Sequence, residues 1–274
     1  MESKTIRTAL PLVMLHGLRS TPREFDLIAL TLRGRGIQLI TPHIDGYSLD
    51  PRPRRTSWRQ WQAAASAAIG QVVPRGQPFV LGGLCAGGLL AAALTLEGAH
   101  RVAGLAMLSP TFDYDGWSQT RWRHLRTLGY ALGLARWIRV AEREPFGVKN
   151  AKIRGWVARE MRLRASSASG PSSLPLWAIR EVDRLKDWVR VRLPSLRTRT
   201  LVMHARDDDV CTLASVQRAM PMIAATHKRL VVLDDSYHMI TIDNDRHKVA
   251  DELFAFSTAH ATTPIGSQHV RYPA

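Results

Sequence analysis

Three short stretches of this 274-residue chain carry side chains able to break an acyl bond. Gly83-Leu84-Cys85-Ala86-Gly87 sets a thiol between glycines, after the apolar run Pro78 to Leu84 and before an Ala/Leu-rich helical pattern ending near Gly98. A nucleophile thrust from a strand-to-helix turn needs small neighbours on both sides, and Gly83, Gly87 and Gly88 supply them. The helix begins at the nucleophile, so its N-terminal dipole favours a thiolate. Asp207-Asp208-Asp209 follows the strand-like run Thr200 to Ala205, and Ser236-Tyr237-His238 follows Arg229 to Leu233. Chain order is therefore nucleophile, acid, histidine, a set that performs nucleophilic acyl transfer. Three adjacent aspartates leave the acid open. Asp113 and Asp115, after Val102 to Leu108, offer a second position for it. A lone G-x-C-x-G is also what a small packed cysteine at a glycine turn looks like; the order and spacing of all the parts carry the catalytic reading.

These groups need a frame that brings them together. Short apolar runs alternate with longer helical patterns, which reads as a mostly parallel sheet wrapped by helices. Strands are expected at Leu10 to Leu15, Ile37 to Thr41, Pro78 to Leu84, Val102 to Leu108, Thr200 to Ala205 and Arg229 to Leu233. Helices are expected at Pro22 to Leu32 with Thr21 as N-cap, at about Ser57 to Ile69, after Cys85, and at about Arg246 to Ser257. His16-Gly17 ends the first strand. The alternation stops between Ser109 and about Leu196, and the polar interval Ser166 to Ser173 reads as a linker.

Composition bounds the function. Hydrophobic residues make up 45% of the chain and charged residues 22%, enough for a single buried core. The 38 Lys and Arg exceed the 23 Asp and Glu, for a formal charge of +15, a field that favours acidic partners. Many arginines lie from Arg121 to Arg199, interleaved with Trp122, Trp137, Trp156, Trp177 and Trp188. This pattern suits a nucleic-acid surface or, as readily, solvated faces of amphipathic helices. No nucleic-acid-binding motif accompanies it, so no nucleic acid is expected. Two cysteines, Cys85 and Cys211, give no disulfide framework and suit a reducing cytosol. The N-terminus lacks a signal-peptide pattern and no apolar run reaches membrane-spanning length, so a cytoplasmic protein without a transmembrane segment is expected. His43, His100, His204, His227 and His247 have no partner motif. No metal-ligand spacing or phosphate-cradling loop is present, so neither metal nor cofactor is expected.

The segments VMLHGLRSTP, LGGLCAGG, LVMHARDDDV and DSYHMITID together resemble the α/β-hydrolase superfamily, particularly its small carboxylesterase and monoacylglycerol-lipase branch. The resemblance covers about Leu10 to Gly98 and Thr200 to Ser257. It implies an α/β-hydrolase core over 1–110 and 197–260, a helical cap insertion over 111–196, and a flexible tail at 261–274. It makes Cys85 the nucleophile, Asp208 the triad acid and His238 the base. The backbone N–H groups of Leu18 and Ala86 become the oxyanion donors, with His16, Gly17, Gly83 and Gly87 as supporting positions. The chain departs from that branch in having cysteine where the branch has serine. Cysteine elbows occur in relatives such as dienelactone hydrolases, polyhydroxyalkanoate synthases and some thioesterase-like acyltransferases. The implied activity is hydrolysis of an ester, thioester or lactone, with acyl transfer to an alcohol or amine as the alternative and a silent binding protein as a further one. Implied partners are a small-molecule or carrier-bound acyl substrate. An acidic carrier protein, coenzyme A or peripheral contact with anionic membrane also suits the basic cap.

Overall fold

The computed structural model describes residues 9–50, 54–119, 125–164, 166–167 and 170–259. Six strands form one wholly parallel sheet: β1 (Leu12–Leu15), β2 (Leu39–Ile40), β3 (Phe79–Leu84), β4 (Val102–Leu108), β9 (Thr200–Ala205) and β10 (Lys228–Leu233). Their order across the sheet is β10-β9-β4-β3-β1-β2. Each expected strand is present, with some ends shifted by a residue or two. Alternate residues of β1 point to opposite faces, Val13 and Leu15 into one apolar cluster and Leu12 and Met14 into the other. A sheet covered on both sides needs such runs to be apolar throughout.

Helices α2 (Trp58–Val72) and α3 (Ala86–Glu97) contribute to the first cluster, and α1 (Asp26–Gly34) and α7 (Arg246–Thr258) to the second. Ser57 closes a capping box with Gln60 at the start of α2, worth about 1 kcal/mol. Thr21 accepts the Arg23 N–H as expected, but the first turn after it, Pro22–Phe25, is a 3-10 turn before α1 begins.

The segment expected as a helical cap, 111–196, divides. Between β4 and β9 come α4 (Arg126–Ala131), β5 (Arg139–Ala141), α5 (Ala151–Arg164), β6 (Ser166–Ser167), β7 (Gly170–Pro171), β8 (Ser173–Pro175) and α6 (Leu176–Arg192). Helix α6 packs on α2 and α3, with Val182, Leu185 and Val189 fully buried in the core. Val157 and Met161 of α5 join the opposite cluster. The described residues of the polar interval read as a linker include paired strands: β6 pairs with β7, and β8 with β5, both antiparallel. Ser and Pro conceal such pairing because these strands are only two or three residues long and present no apolar alternation. Trp122 and the tail 261–274 lie outside the described residues. Among the described residues no helix is long and apolar enough to cross a membrane.

A parallel sheet gathers the carboxyl ends of its strands at one edge, where ligands bind in open α/β folds. The turn leaving β3 is the tightest there. A Cβ on Gly87 would lie 2.2 Å from the Leu15 carbonyl oxygen and 2.4 Å from that of His16, and one on Gly83 2.4 Å from the Gly87 backbone. Backbone cannot yield as a side-chain tip can. Gly87→Ala should therefore abolish soluble folding or cost more than about 4 kcal/mol in chemical denaturation. In contrast, Gly155→Ala in α5, with nothing within 4 Å of its added Cβ, should gain about 0.5–1 kcal/mol.

Candidate active site

Cys85 sits between β3 and α3 with φ 57° and ψ −125°. For a non-glycine residue this is a strained backbone, the conformation that lifts a side chain above the sheet edge. Its Sγ lies 3.1 Å from the hydroxyl of Thr111, a buried residue just beyond β4.

His238 comes from the loop after β10 and is buried. Its Nδ1–H points at Asp208, 2.8 Å from Oδ2 and 3.0 Å from Oδ1. Asp208 is held in turn by the N–H groups of Val210 and Cys211, which donate to its Oδ1 at 2.8 and 2.9 Å. The other imidazole nitrogen, Nε2, is buried and makes no hydrogen bond among the described residues. Burial disfavours a charged imidazole, yet the Asp208 carboxylate, with a smaller contribution from the neighbouring Cys85, outweighs it and holds the His238 pKa well above its ordinary value. Burial likewise works against the Asp208 carboxylate, and His238 and His204 overcome it, keeping its pKa low. Cys85 is thus near enough to act on His238, and its sulfur also bonds to Thr111.

The neighbouring aspartates have other partners. Asp207 is exposed, beside Lys149. Asp209 accepts the His238 backbone N–H at 3.3 Å and the Ser118 hydroxyl at 3.1 Å. Asp115 takes the Thr212 hydroxyl at 2.7 Å and Ser215 at 2.7 Å, and Asp113 pairs with Arg190. The second candidate acid site thus ties down the loop that carries Asp208 and does not contact His238. Cys211 is free and buried, its thiol pushed up to about 12, chiefly by burial.

The loop after β1 is fixed from beneath. His16 donates through Nδ1 to the Gly17 carbonyl at 2.8 Å and accepts from Ser48 Oγ at 2.7 Å. Tyr47 stacks on the ring and donates to the His16 carbonyl at 2.9 Å. Burial lowers the His16 pKa to about 4, so this imidazole is neutral and structural. Leu18 and Ala86 both line a cavity of about 630 Å³ that also contains Cys85 and His238. Leu125, Ile138, Val140 and Leu176 form its apolar wall. No group of three or more His, Cys, Asp or Glu able to hold a metal occurs among the described residues.

Two residues at the site gave no signal as chemistry in the sequence. His204 on β9 donates through Nε2 to the Cys211 carbonyl at 2.8 Å and lies 3.5 Å from Asp208 Oδ2, so the acid is flanked by two imidazoles. Glu24 is buried against the loop after β1 and accepts the Gly17 N–H at 2.7 Å.

Known proteins resemble this chain along most of its length. A thermostable monoacylglycerol lipase of Bacillus sp. (strain H-257) is 19% identical over 250 residues, 91% of this chain and 90% of that one. The monoacylglycerol lipase of Paleococcus ferrophilus superposes with a TM-score of 0.74 at 15% identity, covering 91% of this chain and 94% of that one. A soluble variant of monoglyceride lipase from Saccharomyces cerevisiae, solved with a substrate analog, gives 0.76 at 13% identity, over 96% and 90%. The family model described as serine aminopeptidase, S33, matches residues 8–245, and the chain belongs to that family of α/β-hydrolases.

Proposed function

We propose that this enzyme hydrolyses carboxylic esters of apolar acyl groups, monoacylglycerol-like lipids among them, through a covalent acyl-Cys85. The observation that carries the reading is Cys85 at a strained strand-to-helix turn, sharing a cavity with a buried His238 whose Nδ1 is bound to Asp208. The Asp208 carboxylate on Nδ1 suits His238 to take the Cys85 proton at Nε2, giving a thiolate–imidazolium pair. The thiolate attacks the ester carbonyl, and the oxyanion forms against the backbone N–H groups of Leu18 and Ala86. The imidazolium passes its proton to the leaving alcohol as the C–O bond breaks. Water then attacks the thioester while His238 takes its proton, and loss of the acid returns the thiolate. Asp208 holds the imidazole in the tautomer that leaves Nε2 facing the reaction. The cavity's apolar wall suits an acyl chain, and the lipases among the similar proteins agree with such a substrate.

The test is intact mass spectrometry after mixing enzyme with 1-decanoylglycerol, p-nitrophenyl butyrate or decanoyl-CoA, beside Cys85→Ala. The expected result is turnover of the esters and a short-lived acyl adduct on the wild type alone. An adduct stable in water but discharged by added alcohol or amine would make the enzyme an acyltransferase. Absence of both adduct and turnover with every donor would overturn the reading in favour of a binding protein.

A further inference from the structure

Glu24 has no ion-pair partner among the described residues although it is 2% exposed. It lies on the 3-10 turn Pro22–Phe25 and reaches back under the loop after β1, where Oε2 accepts the Gly17 N–H. A Cβ placed on Gly17 would meet Glu24 Oε1 at 3.2 Å and Cys85 Cβ at 3.7 Å. Carboxyl and nucleophile thus flank the same residue, and both line the cavity with Leu18, Ala86 and His238. We propose that Glu24 works as a neutral acid, a third hydrogen-bond donor on the side of the cavity where the oxyanion develops. This rests on the acyl-Cys85 reading and extends it to a residue outside the triad.

The charge environment supports a neutral carboxyl. Burial raises the Glu24 pKa to about 7, against smaller opposing contributions from Ser20, the Gly17 N–H and His238. The groups facing it are Gly17 and Ser20 on its own loop, Cys85 across Gly17, His238 from the loop after β10, and Tyr47, held un-ionised mainly by burial. Of these only His238 can be cationic, and it is already bound to Asp208. Arg23, next in the chain, turns to Glu160. An ionised Glu24 would set a second negative charge beside the thiolate and the oxyanion and oppose both. Protonated, it donates instead, as a carboxylic acid kept neutral in an apolar oxyanion site does.

The consequence is a fall in kcat/KM above pH 7 that belongs to Glu24. Gln keeps an acceptor for the Gly17 N–H and an N–H donor, and it cannot ionise. The kcat/KM ratio of Glu24→Gln to wild type should rise about tenfold between pH 6 and pH 8, the change set by a group titrating near 7. Glu142 also lines the cavity and is raised to about 7, chiefly by burial, with Asp209 adding to the rise. Glu142→Gln should keep the alkaline fall, and loss of the fall in that variant would overturn the assignment. Superimposable profiles for Glu24→Gln and wild type would also overturn it. A carboxyl ¹³C titration of the unmodified enzyme, with Glu24 assigned through its backbone, decides the matter without any substitution; a midpoint below 5 sinks the proposal. Mass spectrometry of the acyl adduct separates the two failures. No Cys85 adduct at any pH ends the acyl-enzyme reading itself, whereas an adduct with an unchanged Glu24→Gln profile ends only this inference.

Discussion

Cys85→Ala should lower kcat/KM toward any ester the wild type hydrolyses by about 10³-fold or more, since removing the nucleophile leaves only the oxyanion donors and binding. The more informative partner is Cys85→Ser, which restores the nucleophile that the monoacylglycerol-lipase branch carries. In the proposed resting state a Cys85 thiolate adds to the Asp208 carboxylate in holding the His238 pKa up. A serine hydroxyl does not ionise at neutral pH, so that support is lost and the His238 pKa should fall. The mechanism then needs neutral imidazole as a base, and activity should climb as pH rises through its pKa. Cys85→Ser should therefore retain ester hydrolysis, reduced by about 10- to 10³-fold, with a new acidic limb in its pH–rate profile. Iodoacetamide should inactivate the wild type and not this variant. A Cys85→Ser profile that overlays the wild type would mean that no thiolate–imidazolium pair is involved.

Thr111 bears on the same comparison. Its hydroxyl is a hydrogen-bond partner of Sγ, a contact that competes with any bond from the nucleophile to His238. A serine oxygen bonds to a hydroxyl more strongly than sulfur does. Part of the loss in Cys85→Ser would then come from a nucleophile held away from its base.

The parts of this site that sequence revealed are those with a local signature. The elbow is legible because only glycine fits where backbones approach within 3 Å, and Gly83 and Gly87 meet that condition. The six strands are legible because both sheet faces are covered and every strand must be apolar. The acid was harder to read. Asp207, Asp208 and Asp209 are equivalent in composition, and only the turn made by the Val210 and Cys211 N–H groups sends the middle one inward. Glu24 was invisible for a different reason. A glutamate just after Thr21 and Pro22 reads as an ordinary first-turn acid complementing a helix dipole, and its contact with Gly17 appears only when the 3-10 turn folds back under the loop. His204 lies on β9, and sequence does not tell that its ring bridges to the Cys211 carbonyl. Part of the basic segment's charge is met by neighbours: Arg126 pairs with Asp183, Arg184 with Glu181 and Arg190 with Asp113, while Arg192 lies over Trp188.

Asp208→Asn separates orientation from charge at the acid. The carboxylate serves His238 Nδ1 and two backbone donors at once, with His204 a further 3.5 Å away. An asparagine has one acceptor oxygen for these donors, and its NH₂ must face another donor or turn the imidazole to the wrong tautomer. Loss of about 10⁴-fold in kcat is the expected size when a triad acid is made an amide, whereas Asp207→Asn, exposed beside Lys149, should change it by about twofold or less. Stability should carry its own signature. The lowered Asp208 pKa contributes stability that is present above its unfolded value of 3.8 and is lost as pH falls below it. The raised His238 pKa contributes stability that is full below its unfolded value of 6.5 and is lost as pH rises through the folded one. Both contributions are present together between those two values, so the Tm deficit of Asp208→Asn should be greatest there. It should narrow in more alkaline buffer, as His238 loses its proton in the wild type too. A deficit that stayed constant from pH 5 to pH 9, with kcat nearly intact, would mean that Asp208 only braces the loop, and the acid would then have to be sought at Asp209, on the His238 backbone.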